Sequence, residues 1–573
     1  MIKAPGLVGL ALLVAAACSS PGSQPTSSAP REEASSRGTP KRIVAMIRGT
    51  PSSLAQQKTN RSVGSVPGLE AIEELTTAGL VHADEKGTLY PQLAGQVPTI
   101  ENGLWKLLPD GRMETSWKIK SAARWHDGTP VTSADLVFGA TIEQDPDLGI
   151  PRNTAFDLIE AIETPDAASI VVRWNQPYIE ADLMFSYLMA LPLPRHLLAQ
   201  AYADDKTSFF SLPYWTDGFV GAGPFRMKSW ATDAHVILQA YDGYVLGRPK
   251  IDEIEVRFIT DPNTMTANLL AGAIDLTMSR ALIPVEQAQE ILNQRSELRA
   301  TGSFRSWYPI HSQFINSNPT VVTDVRFRRA MLQAIDRQQL VDSLANGQSF
   351  VAHSLIAPDL AEFGAVQDAL VRYEYDPRGA GEAIGALGYS RGADGVFVDS
   401  GGQRLAVQIY TTTRSEIQPK IVLAVADYWK AIGVDVDPVM IPPQRISDRE
   451  YRAQFPAFEM VSGATSASST DVRRFHSASA PLPENRFTAT GNNPRYRNPE
   501  MDRWIDLYVT TVPRTERVEA LRQFLHIQTD QLPSMGLFYE VDFTLTNSRL
   551  IGPYARGPLS SQAWNAETWE LKG

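Results

Sequence analysis

The residues able to do chemistry in this chain are dispersed rather than clustered. Its one cysteine is Cys18, and its eight histidines stand singly, so no metal-ligand spacing is present. Neither an HExxH helix nor a GxSxG turn occurs, and the carboxylates are too numerous for any one pair to stand out as an acid and a base. The run Gly221-Ala222-Gly223 lacks the Lys-Ser/Thr that completes a phosphate loop. The chemistry on offer is binding. Trp307, Tyr308 and His311 combine apolar area with hydrogen-bonding edges suited to lining a pocket. Arg48 and Thr50 follow the apolar strand Ile43-Val44-Ala45-Met46-Ile47, and ligands of open α/β sheets sit beyond the carboxyl ends of strands. No enzyme, no cofactor and no resident metal is expected.

Such residues need a large body to hold them. Period-two alternation predicts a strand at Trp117-Lys118-Ile119-Lys120, and the Asp127-Gly128-Thr129-Pro130 turn leads to a helix opened by Thr132 with Asp135 three residues on. Asp261-Pro262 starts a helix that Gly272 closes ahead of a strand at Ile274-Asp275-Leu276. Thr323 or Asp324 caps a helix carrying Phe327, Ala330, Met331, Ala334 and Ile335, predicted to continue through Leu340 and Leu344 to Gly347. Further helices are expected over about 417–432, handed by Gly433 to the strand Val434-Asp435-Val436-Asp437, and over about 516–530, ended by Pro533. This is an α/β chain. Its length exceeds what one core supports, so two or three domains and a cleft follow.

At the start, Met1-Ile2-Lys3 precedes an apolar run over 7–17 that is short for a bilayer span, then Ala15-Ala16-Ala17-Cys18. This reads as a secretory signal, and the small residues before the lone cysteine resemble a lipoprotein lipobox, with Cys18 the lipidated residue. Residues 19–40, rich in Ser, Pro and Gly, read as a disordered tether. The body is expected outside the cytoplasm, lipid-anchored to the cell membrane. The net charge of −11 without a basic face argues against a nucleic-acid partner.

Five segments together are similar to the family 5 extracytoplasmic solute-binding proteins of ABC importers, the peptide, oligopeptide and nickel class. They are the strand at 117–120 with Arg124-Trp125-His126-Asp127-Gly128-Thr129-Pro130 and Ala134-Asp135-Leu136-Val137; Gly221-Ala222-Gly223-Pro224-Phe225 with Trp230, Tyr244 and Pro249-Lys250-Ile251-Asp252; Asn316 and Val325-Arg326-Phe327-Arg328-Arg329-Ala330 with Ala334-Ile335-Asp336-Arg337; Ala431-Ile432-Gly433-Val434-Asp435-Val436; and Asn492-Asn493 with Asn498-Pro499-Glu500-Met501-Asp502. Within this set Arg328 and Asp336 are expected to pair or cap rather than touch ligand.

The resemblance implies a periplasmic-binding-protein-like type II (cluster C) fold with two main lobes, a hinge and an inserted domain. Domain I would comprise 41–80, 218–312 and 536–573, domain II 81–217 and domain III 313–535. It implies capture of an oligopeptide-like solute by hinge closure and delivery to an ABC permease by a monomer. In peptide-binding relatives an arginine in the loop after one cleft strand pairs with a ligand carboxylate; Arg414, beside Thr411, fits that place. Those relatives also carry a Gly-Trp pair and then an aspartate that holds the peptide ammonium. Here Ala464 replaces the Trp and no acid appears before Asp471. Either Asp471 reaches the ammonium, or hydroxyls such as Thr465 and Ser466 hold an uncharged solute. An oligosaccharide, blocked peptide or metal chelate, or a ligand-sensing role, is the alternative.

Overall fold

The computed structural model describes residues 40–59, 66–151, 153–279, 283–489 and 491–572. Cys18 and all of the 19–40 tether except Pro40 lie outside the described residues. Eleven strands form the principal sheet: β1 (Arg42–Ile47), β2 (Phe225–Ala231), β3 (His235–Ala240), β4 (Glu253–Phe258), β5 (Leu276–Thr277), β6 (Leu298–Ser312), β7 (Ala406–Thr411), β8 (Asp435–Met440), β9 (Phe458–Met460), β10 (Gly463–Ala464) and β11 (Ser534–Asn547). Their order is β8-β7-β9-β6-β11-β5-β1-β4-β3-β2, with β10 added to β6.

β6 and β11, of 15 and 14 residues, are the two long members, each roughly 50 Å if extended. They pair antiparallel from Leu298 opposite Asn547 to His311 opposite Ser534, with irregular register near Phe304 to Ser306 and Trp307 to Pro309. One end of β11 pairs with β5 at Thr546, while the far end of β6 pairs with β9 through Ile310, His311 and Ser312. The two strands therefore belong to both halves of the sheet. Bulges at the passage bend the strands locally.

Each half has its own core. Ile43, Ile47, Leu69 and Ile72 pack with Phe138, Ile142, Phe209 and Trp215 on one side. Phe327, Met331, Ile421, Val425 and Trp429 pack around Ile409 and Phe458 on the other. The 81–217 segment adds a four-stranded sheet, Trp105–Leu107, Met113–Lys118, Ser169–Trp174 and Ile159–Asp166 in that order. From Lys41 on, the chain forms one compact unit. No helix among the described residues is long and apolar enough to cross a membrane.

Local signals acted as the sequence suggests, with exceptions that have physical causes. Asp135 accepts from the Thr132 N–H at 2.8 Å at the start of Ser133–Gln144, and Asp261 caps Pro262–Leu270 by accepting from the Thr264 N–H at 2.8 Å. The expected continuous helix to Leu344 is two helices, Val325–Gln333 and Arg337–Leu344. Asp336 accepts from the Gln339 N–H at 2.9 Å, so it caps a new helix instead of continuing the old one. Arg328 does not pair with Asp336; its buried guanidinium donates to the carbonyls of Gln531 and Val322. The strand expected at 117–120 is Met113–Lys118, and Ile119 bridges to Ala94.

Lys58 is buried between two carboxylates, 3.0 Å from Glu143 and 3.9 Å from Glu73. It ties the short helix Ala55–Thr59 to the helices Leu69–Thr76 and Ser133–Gln144. Removing one partner of a buried pair leaves uncompensated charge, so Lys58→Ala should cost about 3–5 kcal/mol. Urea unfolding checks this, and a loss below about 1 kcal/mol would place the pair in effective contact with water.

Candidate functional site

β7, β8 and β9 are parallel neighbours, β7 pairing with β8 along its length and with β9 at Ile409 and Tyr410. Beyond their carboxyl ends lies a cavity of about 680 Å³. Its walls are Trp307, Pro309 and His311 of β6, Ser534 of β11, Arg414 after β7, Arg449 and Arg452 of the helix Arg449–Ala453, Glu459 of β9 and Asp471 and Arg474. A residue set in the loops past the strand ends, against a wall shared by both lobes, is where open α/β folds place ligands.

Glu459 is the buried charge of this floor, 1% exposed, because β9 alternates it between Phe458 and Met460 against the core. Arg452 meets it at 2.7 Å and Asn493 donates to it at 3.4 Å. Burial pushes the Glu459 carboxyl up, and Arg452 opposes that rise. Arg452 is available because Asp448 accepts from the Tyr451 N–H at 3.0 Å and starts the helix Arg449–Ala453.

Trp307 sits between two glycines. A Cβ on Gly463, its partner in β10, would lie 2.8 Å from the indole Nε1, and one on Gly536 would lie 3.0 Å from the ring edge. The indole lines the cavity beside Ala464. His311 shares a hydrogen bond with the Ser534 hydroxyl at 2.8 Å, joining β6 to β11 at the cavity wall. Burial, reinforced by the positive charge of Arg452, pushes the imidazole down to about 3, so it is neutral at physiological pH.

Of the residues singled out from sequence, Trp307, His311, Arg414 and Asp471 line this cavity. The others do not. Tyr308 points to the opposite face of β6, into the core against Phe538 at 5.2 Å. The Thr411 hydroxyl is spent on the Met460 carbonyl at 2.7 Å. Thr465 is buried with its hydroxyl on the Phe304 carbonyl, and the Ser466 hydroxyl accepts from the Ser468 N–H at 2.9 Å. Arg48 and Thr50 follow β1, in the other lobe, and are not among the lining residues. Asp471 is engaged on both sides: Ser468 Oγ donates to it at 2.8 Å and Arg474 lies at 3.3 Å.

The same loop touches the 81–217 segment. Glu180 accepts from the Ser469 N–H at 2.7 Å and from its hydroxyl at 3.0 Å, while Ile179 joins the core around Trp307 and Tyr508. Among the described residues no group of three or more His, Cys, Asp or Glu is arranged to hold a metal ion.

Residues 96–480 match the family described as "Bacterial extracellular solute-binding proteins, family 5 Middle", more than half of the chain. The chain belongs to that family. Among curated family 5 relatives, the oligopeptide-binding protein AppA of Bacillus subtilis is 24% identical over 370 residues, 64% of this chain and 63% of AppA. The match thus spans less than two thirds of AppA's own length. The AppA crystal structure in complex with a nonapeptide has a TM-score of 0.64 at 20% identity, covering 93% of this chain and 100% of that one. HbpA2 from Haemophilus parasuis gives 0.74 at 16%, and NikA from Brucella suis in complex with Fe(III)-EDTA gives 0.72 at 17%, each covering 93% of this chain and 100% of the other. These neighbours share its fold, the two-lobed type II architecture with a large mixed sheet.

For this family 5 chain, sequence reasoning missed Arg449, Arg452 and Glu459. The cap at Asp448 marked the short helix, but nothing local says that its face meets the end of β9. Glu459 carried a signal, an acid within an otherwise apolar strand, which needs a partner when buried.

Two outcomes follow. Gly463→Ala should displace the Trp307 indole and cost about 1–3 kcal/mol, read by near-UV circular dichroism and urea unfolding; an unchanged spectrum would contradict the close seat. Unfolded, His311 gains a proton near its ordinary 6.5, and folded only near 3. Between those values the unfolded chain holds the extra proton, so this residue erodes stability as pH falls. His311→Gln should lose less melting temperature than the parent between about pH 7 and pH 5, and parallel slopes would contradict the burial argument.

Proposed function

We propose that this chain is the solute receptor of an ABC importer, capturing an oligopeptide-like solute in the cavity beyond β7, β8 and β9 and presenting it to a membrane permease. The observation that carries the reading is the place of that cavity. It is walled by β6 and β11, the strands common to both lobes, so a solute held there senses the angle between them. Closure by bending those strands would remove solute from water and create a shape a permease distinguishes from the open one. Solute drives closure only through tighter binding to the closed form, about 1.4 kcal/mol per tenfold shift in population. The work is binding and release, with no bond made or broken.

In this reading domain I comprises 41–80, 218–312 and 536–573, domain II 81–217 and domain III 313–535. Cys18 carries the lipid, residues 19–40 tether a monomeric body outside the cytoplasm, and the permease is the membrane partner. A peptide is supported by AppA, named as oligopeptide-binding and crystallised with a nonapeptide.

One observation favours a second reading. Both carboxylates of the cavity are already paired, Glu459 with Arg452 and Asp471 with Arg474, which leaves no free acid for a peptide ammonium. A blocked peptide, an oligosaccharide or a chelate, such as the Fe(III)-EDTA in the NikA crystal, needs none.

The test is thermal unfolding of the refolded body from Lys41 onward against free peptides, N-blocked peptides, oligosaccharides and metal chelates. Stabilisation follows RT ln(1 + [L]/Kd), about 2.7 kcal/mol at a hundredfold excess over Kd. Free peptides stabilising the protein would support peptide capture, and blocked or uncharged solutes alone would support the second reading. No stabilisation by any class would overturn the receptor assignment.

A further inference from the structure

Four arginines line the cavity, Arg414, Arg449, Arg452 and Arg474, against two carboxylates, Glu459 and Asp471. Each carboxylate is taken by one arginine, Arg452 at 2.7 Å and Arg474 at 3.3 Å. Among the described residues, Arg414 and Arg449 make neither an ion pair nor a side-chain hydrogen bond. Both side chains are exposed and line the cavity without a carboxylate partner of their own.

The two unpaired guanidiniums also arrive by separate routes. Arg414 stands three residues beyond the carboxyl end of β7, and Arg449 follows the carboxyl end of β8, the parallel neighbour of β7. A short helix holds Arg449, and Asp448, whose carboxylate fixes that helix start, lies at 3.2 Å from Arg445 instead. The cavity therefore presents two positive forks on separate supports, and its own acids neutralise neither.

We propose that Arg449 is a second anion anchor, and that the solute of this cavity carries two carboxylate-like groups, one for Arg414 and one for Arg449. The inference rests on the reading of the cavity as a solute site. A planar guanidinium fork matches a carboxylate in two parallel hydrogen bonds, and a concave site with two such forks focuses positive field on an entering anion. The class that fits is a peptide with an acidic side chain besides its terminal carboxylate, or a free dicarboxylate of comparable span.

The experiment is isothermal titration of the full body, stripped by unfolding and refolding, with alanyl-alanyl-glutamate, its glutamine counterpart and glutarate. The wild type should bind the glutamate peptide at least about tenfold more tightly than the glutamine peptide, the size of one charge-assisted contact. Arg449→Ala should bring that ratio close to one, whereas Arg378→Ala, 89% exposed on a remote helix, should keep it. Competition by glutarate alone would assign the site to a free dicarboxylate, and its failure to compete would assign it to a peptide; both keep the two-anion requirement. Equal binding of the two peptides by the wild type, or a ratio unchanged in Arg449→Ala, overturns the second anchor while leaving solute capture intact. Binding of neither peptide nor glutarate overturns it as well, and the broader solute panel then decides whether the receptor reading falls with it.

Discussion

The pairing of β6 with β11 is the constraint on which the rest of the molecule depends. Ordinary two-lobed proteins can be imagined as two bodies joined by string, but here the join is a ladder of main-chain hydrogen bonds running from one lobe through to the other. Every neighbour in the sheet is placed by it: β5 and β1 on one side through Thr546, β9 and then β7 and β8 on the other through Ile310 to Ser312. The register irregularities near Phe304 and Trp307 are where this ladder yields, since a bulge relaxes pairing locally and adds twist. The cavity begins at the residues that follow them.

That coincidence explains the mixture of rigid and open chemistry around the cavity. Its floor is built from fully committed groups: the Glu459–Arg452 pair, His311 on Ser534, and an indole clamped where two glycines leave room. A buried pair of this kind adds little net stability but fixes geometry, because neither partner tolerates another position. At the rim, long side chains on loops keep their charge in solvent. The cavity is thus fixed by paired groups where it meets the sheet and open to solvent at its rim.

Much of the architecture was legible locally. Helix starts at Thr132, Asp261 and Asp324 and the stop at Gly433 are decided within a few residues, and the family motifs supply the lobe arrangement. The split at Asp336 was missed because an apolar stripe at helical spacing continues through it, while a single carboxylate accepting from the Gln339 N–H decides the break. Trp307 and His311 were recognised as wall residues, yet Tyr308 between them was not separable by type; the alternation of β6 alone sends it to the core. Thr411, Thr465 and Ser466 looked free because the sequence does not show which hydroxyls the backbone will claim. Arg449, Arg452 and Glu459 come together only through the β7, β8 and β9 ladder, a long-range fact that no local pattern carries.

The same ladder imposes an order on how the chain becomes a protein. His311 and Ser534 are partners 223 positions apart, and β11 lies near the carboxyl end. Contacts of such separation form late, after the cost of closing the intervening loop has been met. The Ile43 core itself takes in Leu550, Ala563 and Trp569, which follow β11, and the wall of the cavity likewise does not exist until β11 has paired with β6. The cavity wall is therefore a late product of folding, since it exists only once two strands far apart in the sequence have met.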